Sequence, residues 1–179
     1  MVDTRTPGLV VRLGRLAPDD AGEVLTLQRA AYVTEAQLHS DVHLPPLLEP
    51  LPDVRGVLGD PGVVVLGLHE GPRLVGCVRV RWLGEGAVAL GRLAVAPDRQ
   101  GAGLGTRLLT AAEEAYDGIR RIELFTGSLS EANLRLYRRL GYVETHRTPA
   151  GRHELVHLVK EFGAGDPPIG RSGSPGAGG

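Results

Sequence analysis

The stretch DRQGAGLGTRLL, residues 98–109, places glycine at 101, 103 and 105 and then runs into leucines at helical spacing with no proline between. Glycine lacks a Cβ, so such a loop adopts left-handed angles cheaply and lets a ligand come close to the main chain. Where a strand ends and a helix begins, loop amides and the unpaired first N–H groups of the helix converge on one point, backed by the positive end of the helix dipole. That point suits an anion, phosphate above all. Two familiar phosphate loops do not fit. A P-loop needs lysine directly after its last glycine, and Lys160 lies far away near the last predicted strand. A dinucleotide fingerprint is G-x-G-x-x-G inside a parallel βαβ unit, whereas here G-x-G-x-G follows an antiparallel meander.

That meander is residues 61–97, PGVVVLGLHEGPRLVGCVRVRWLGEGAVALGRLAVAP, in which Glu70-Gly71-Pro72 and Gly84-Glu85-Gly86 separate three β-branched runs. The middle run alternates, with Val78, Val80 and Trp82 on one face and Arg79 and Arg81 on a more polar one. Further upstream, residues 10–18 read as a strand. Asp19 or Asp20 then caps a helix over 21–38, with Val24, Leu27 and Ala31 on one stripe. The prolines of HSDVHLPPLLEPLPD, residues 39–53, break that helix, and a short helix follows over 53–59. Beyond the glycine loop the pattern predicts a helix from Gly103 to Tyr116, a strand from Ile119 to Phe125, a helix from Ser130 to Leu140 and strands over 141–148 and 152–162. Helix between strands implies a local parallel pairing within an otherwise antiparallel sheet, an α+β architecture. Residues 1–162 read as one domain. The Gly/Pro/Ser-rich tail, 163–179, carries too little apolar surface to offset the entropy of ordering it and is expected to be disordered.

Composition narrows the partners. Twenty basic residues face twenty-one acidic ones, for a net charge of -1, so no global field draws the chain to nucleic acid or a membrane surface. Cys77 stands alone, no run approaches a membrane span, and the first residues lack the build of a secretory signal. The expectation is a cytoplasmic protein.

The loop resembles the pyrophosphate motif [QR]-x-x-G-x-[GA] of the GNAT superfamily of acyl-CoA-dependent N-acyltransferases, with Gln100, Gly103 and Gly105 at its defined positions. LGRLAVAPDRQGAGLGTRLL, residues 90–109, is similar to that superfamily's fourth strand, loop and following helix, and SEANLRLYRRLGYVE, residues 130–144, to its later helix. The resemblance implies a mixed, mostly antiparallel sheet of about seven strands flanked by helices and splayed between the fourth and fifth. It implies acetyl-CoA as cosubstrate, with pantetheine along Leu93, Ala94 and Val95, and pyrophosphate on Gln100, Gly101, Ala102, Gly103, Leu104, Gly105 and Thr106. Arg99 and Arg107 would add charge. Asn133 joins the cofactor side, and Tyr137 has both a cofactor and a catalytic role. No metal is implied, and homodimers occur in the superfamily.

The implied reaction is transfer of acetyl to a primary amine by direct attack in a ternary complex. Asn133 and Tyr137 are four apart on one helix and share a face. A tyrosine of pKa about 10 keeps its proton at neutral pH and can give it to a departing thiolate. A base is harder to assign, because AVALGRLAV, residues 87–95, lacks the carboxylate the superfamily often carries on its fourth strand. Glu85 in the preceding turn and Glu35 are the leading candidates, with His39, Asp41 and His43 nearby in sequence to Glu35. Residues 31–50 would read the acceptor, their acidic side chains favouring a cationic amine. His153 and His157 alternate on the last strand without a third metal ligand at sensible spacing. Two rivals remain, a catalytically silent acyl-CoA-binding module on the same scaffold and a general nucleotide-phosphate binder.

Overall fold

A computed structural model describes residues 10–163. The Gly/Pro/Ser-rich tail beyond residue 163, expected to be disordered, and the first nine residues lie outside the described range. The sheet has seven strands, β1 (Val11–Arg15), β2 (Val63–Glu70), β3 (Arg73–Gly84), β4 (Ala87–Val95), β5 (Arg121–Gly127), β6 (Val143–Ala150) and β7 (His153–Glu161), in the order β1-β2-β3-β4-β5-β7-β6. All neighbours are antiparallel except β4 and β5. The helices are α1 (Ala21–His39), α2 (Pro45–Leu48), α3 (Leu51–Gly59), α4 (Leu104–Ala112) and α5 (Glu131–Arg139).

The parallel pair decides the function of the fold. β4 and β5 are in register only at Ala87↔Arg121, Val88↔Ile122 and Ala89↔Glu123. From Leu90 onward they part, so the β5-facing edge of β4 has lost its strand partner. A second irregularity sits just there. Cys77 pairs with Ala94 but Arg79 with Gly91, so β4 spends one residue more than β3 across this stretch, and Arg92 takes the left-handed φ of 54°. Such a bulge bends its strand and re-aims a side chain.

Helices cover both faces of the sheet. On the face of Gly76, α4 packs so closely that a Cβ there would lie 3.0 Å from Leu108 Cδ1. On the face of Cys77, Val24 and Gln28 of α1 and Val54 and Leu58 of α3 close over Val65 and Arg79. This corrects the expected polar face of β3. Arg79 is half-buried beneath α1 and α3, and its charge is met by Glu49 at 3.0 Å.

Three boundaries also differ from the sequence reading. The proline break contains a turn of helix, α2, because Pro45 and Pro46 fall in its first turn, where a missing N–H costs nothing. Helix α4 stops at Ala112, not Tyr116; Glu113 and Glu114 would oppose the dipole at its carbonyl end, and Glu113 instead accepts from Lys160 of β7 at 2.7 Å. β5 begins at Arg121, two residues late, after Gly118 turns the chain at φ 75°.

Candidate active site

The gap between β4 and β5 opens into a cleft of about 940 Å³. The glycine loop forms one end. Gly101 and Gly103 both hold positive φ, 78° and 79°, and nothing lies within 4 Å of where their Cβ atoms would be. Gly103 is the residue from which α4 starts, and no side chain caps that helix. The first-turn amides of Leu104, Gly105 and Thr106 therefore point outward unpaired. Gly105 answers to packing as well, since a Cβ there would come within 3.2 Å of Leu136 of α5.

The residues singled out in the sequence separate clearly. Leu93, Val95, Gln100, Gly101, Gly103, Leu104, Gly105 and Thr106 line the cleft, as do Asn133, Tyr137 and Glu35. Ala94 is buried opposite Cys77, and Ala102 is exposed beside the loop; neither is among the lining residues. The Val95 carbonyl accepts from the Gln100 side chain at 3.3 Å. Arg99 lines the cleft, but Glu70 at 2.7 Å and Asp98 at 3.1 Å already hold it. Arg107 faces solvent away from the cleft. In its place α5 offers Arg135 and Arg139, the latter donating to Thr106 Oγ1 at 3.2 Å. Their i, i+4 spacing on the face that also carries Leu136 was the sequence signal for them.

Glu85 is removed from the site. It is exposed in the β3–β4 turn, with φ 52°, at the end of β4 that stays paired to β5. At about 3.4 Å per residue, Ala87 to Arg92 alone spans roughly 17 Å of strand.

Glu35 is instead built in. From α1 it accepts a very short bond from Ser130 Oγ, at the start of α5, and another from Asn133 Nδ2 at 3.1 Å. One turn on, His39 Nε2 lies 3.1 Å from Ser130 Oγ and 3.4 Å from Glu35. Because the single Ser130 proton goes to Glu35, His39 Nε2 must carry the proton of a neutral ring and donate it to Ser130. Its Nδ1 is left buried without a partner among the described residues. Burial, then His153 nearby, hold His39 below the ordinary histidine value despite Glu35 and Asp41. The His153 ring lies 4.2 Å away, tilted by 35°, and itself lines the cleft. Asp41 reaches the cleft too, while His43 is exposed outside it. His157 pairs with His146 at 4.2 Å and is not among the lining residues.

Tyr137 is 6% exposed, and its ring meets Tyr142 edge-on at 5.9 Å. Burial first, then Tyr32 and Glu35, raise its pKa well above the usual tyrosine value, so the resting phenol keeps its proton at neutral pH. The cleft thus holds an anion loop at one end and, at the other, a carboxylate, two imidazoles and a protonated phenol. Among the described residues no group of three or more His, Cys, Asp or Glu is arranged to hold a metal ion, and no helix is long and apolar enough to cross a membrane.

Residues 61–144, which contain β4, the glycine loop and α5, match the family model described as an acetyltransferase (GNAT) domain. That stretch carries a GNAT acetyltransferase domain. Solved GNAT structures share its fold at low identity. The PaiA N-acetyltransferase from Thermoplasma acidophilum, in complex with coenzyme A, superposes with a TM-score of 0.70 at 14% identity, over 86% of this chain and 99% of that one. The ribosomal-protein-S18-alanine N-acetyltransferase from Escherichia coli gives 0.69 at 17%, over 87% and 98%. The spermidine N-acetyltransferase from Vibrio cholerae, in complex with CoA and spermine, gives 0.67 at 16%, over 84% and 95%. No curated protein matches the chain by sequence. The GNAT match and the shared fold support acyl transfer in general.

Proposed function

We propose that this GNAT chain is an N-acetyltransferase of the cytoplasm, formed by residues 1–162 as one domain, which moves acetyl from acetyl-CoA to a primary amine by direct attack. The observation that carries the reading is the cleft itself. It joins unpaired amides of the Gly101 to Thr106 loop to Tyr137 and Glu35 through the unpartnered edge of β4.

The loop amides and the α4 dipole hold the pyrophosphate, and the free edge of β4 from Leu93 to Val95 offers main-chain groups to the pantetheine amides. An arriving amine is cationic and must lose a proton before it attacks. Glu35, with about a quarter of its side chain reachable from solvent, takes that proton directly or through water. Attack on the thioester carbonyl forms the C–N bond, and collapse breaks the C–S bond. Tyr137 supplies a proton to the departing thiolate and recovers one from the acylated nitrogen, directly or through water, so the products are amide, free thiol and the proton held by Glu35.

The absence of a carboxylate between Ala87 and Val95 favours one rival, an acyl-CoA-binding module without turnover. One experiment separates them. Acetyl-CoA should raise the melting temperature, and a panel of primary amines should contain at least one that releases free thiol from it. Protection without amine-dependent thiol would leave the silent module; protection by ATP equal to that by acetyl-CoA would leave a nucleotide binder.

A further inference from the structure

One cation in the cleft, Arg92, is only partly answered. Glu49, which follows α2, accepts from Gln28 Nε2 at 3.0 Å, from Arg79 at 3.0 Å and from Arg92 Nε at 3.2 Å. Burial pushes the Glu49 pKa up, but Gln28 and the two guanidinium groups outweigh it and hold the group ionised. Two cations thus share one anion in a half-buried place. Arg79 lines only the closed pocket under α1 and α3, whereas Arg92 borders that pocket and also lines the open cleft. Only its Nε is spent on Glu49. Its two terminal nitrogens have no acceptor among the described residues, and they are not among the buried unpartnered atoms, so they remain reachable.

The backbone holds Arg92 there at a cost. A left-handed φ of 54° is unfavourable for a residue with a Cβ, and it belongs to the bulge that turns this side chain to the Glu49 side. The pyrophosphate loop is not its target, since Leu93 to Val95 put about 10 Å of strand between them. The nearer features belong to the acceptor end. Tyr32 of α1 lies within electrostatic reach of both Arg92 and Glu35, and Tyr32 and Glu35, three apart, are neighbours about 5–6 Å from Cβ to Cβ. Glu35 accepts from Ser130 and Asn133 with His39 close by, which leaves lone-pair capacity on the cleft side.

We propose that Arg92 is an anion subsite for the acceptor, binding a carboxylate while the amine of the same molecule sits at Glu35. The acceptor is then a short amino carboxylic acid, a zwitterion whose two charges meet their opposites on the two walls of the cleft. The guanidinium fork suits a carboxylate, and sheltering from water strengthens the pair. This rests on the acyltransfer reading above.

The test compares free amino acids with their decarboxylated amines, histidine against histamine and arginine against agmatine among them, by thiol released from acetyl-CoA. In the wild-type chain kcat/KM should favour at least one amino acid over its amine by about tenfold to a hundredfold, the range of one charge-assisted hydrogen-bonded contact. In Arg92→Gln that ratio should collapse toward one, and Arg92→Lys should keep part of it. Acetyl-CoA protection of Arg92→Gln against heat shows that the variant is folded; should the variant fail to fold, Arg92→Lys and the methyl esters of the amino acids on wild-type protein read the same preference. Amines equal to or better than every amino acid, or a ratio untouched by Arg92→Gln, overturns the subsite, as does the absence of thiol release with every acceptor. Lack of acetyl-CoA protection in the wild-type chain overturns the acyltransfer reading instead. A fall in kcat for amino acid and amine alike would make Arg92 an oxyanion donor and likewise overturn the subsite.

Discussion

The His39 ring occupies the space beside Gly127 that any side chain there would need. A Cβ on Gly127 would overlap Nε2 and Cε1 of His39. His39 cannot simply rotate away, because it is bonded to Ser130 and packed against the tilted ring of His153. Gly127→Ala should therefore displace the ring and loosen the Glu35–Ser130 link. Overpacking of this kind costs about 1–3 kcal/mol, read as a lower urea midpoint. Addition of His39→Ala should restore part of the loss, and a double-mutant cycle with no coupling would contradict the packing.

This contact also marks the limit of what the sequence discloses. The cofactor end is legible because it is local: glycines at 101, 103 and 105 and the helix after them lie in one short stretch, and their roles depend on backbone freedom that the residue type declares. The acceptor end is assembled from α1, the start of α5 and β7, with Glu35 and Ser130 95 residues apart, so nothing in the spacing of Glu35, Ser130 and His153 announces that they meet. Glu85 looked suitable only because it adjoins β4 in sequence; the strand runs the wrong way for it. Arg92 was invisible as well, since alternation alone cannot foresee a bulge that reverses where a side chain points.

Gly103→Arg should remove coenzyme binding. At φ 79° any L residue is strained by about 1–2 kcal/mol, and a long side chain would compete for the space over the amides of Leu104 to Thr106. The variant should keep its far-UV circular dichroism, melt lower, and show no acetyl-CoA-dependent rise in melting temperature. A normal rise would place the pyrophosphate elsewhere.

Tyr137→Phe removes a hydroxyl and keeps the ring against Tyr142. Turnover should fall by about 10²-fold, within the range for a general acid, while acetyl-CoA protection stays close to that of the wild-type chain. Undiminished kcat would assign proton delivery to water or to another group in the cleft.

His39 makes stability depend on pH in a defined sense. Its pKa is lowered from 6.5 in the folded chain, chiefly by burial and by His153 beside it, against the opposite pull of Glu35 and Asp41. The unfolded chain protonates near 6.5 while the folded one resists, so below that value the unfolded state binds more protons. The stabilising contribution is complete above about pH 6.5 and is lost as pH falls from there toward the folded value, at no more than about 1.4 kcal/mol per pH unit for one group. His157, lowered by burial and by His146, adds a loss of the same sign. Urea midpoints at pH 7.5, 6.5 and 5.5 should therefore decline, and the decline below 6.5 should be shallower in His39→Gln than in the wild-type chain. Equal slopes would mean that the buried ring takes up its proton in the folded state as readily as in the unfolded one, by reorganising around Glu35.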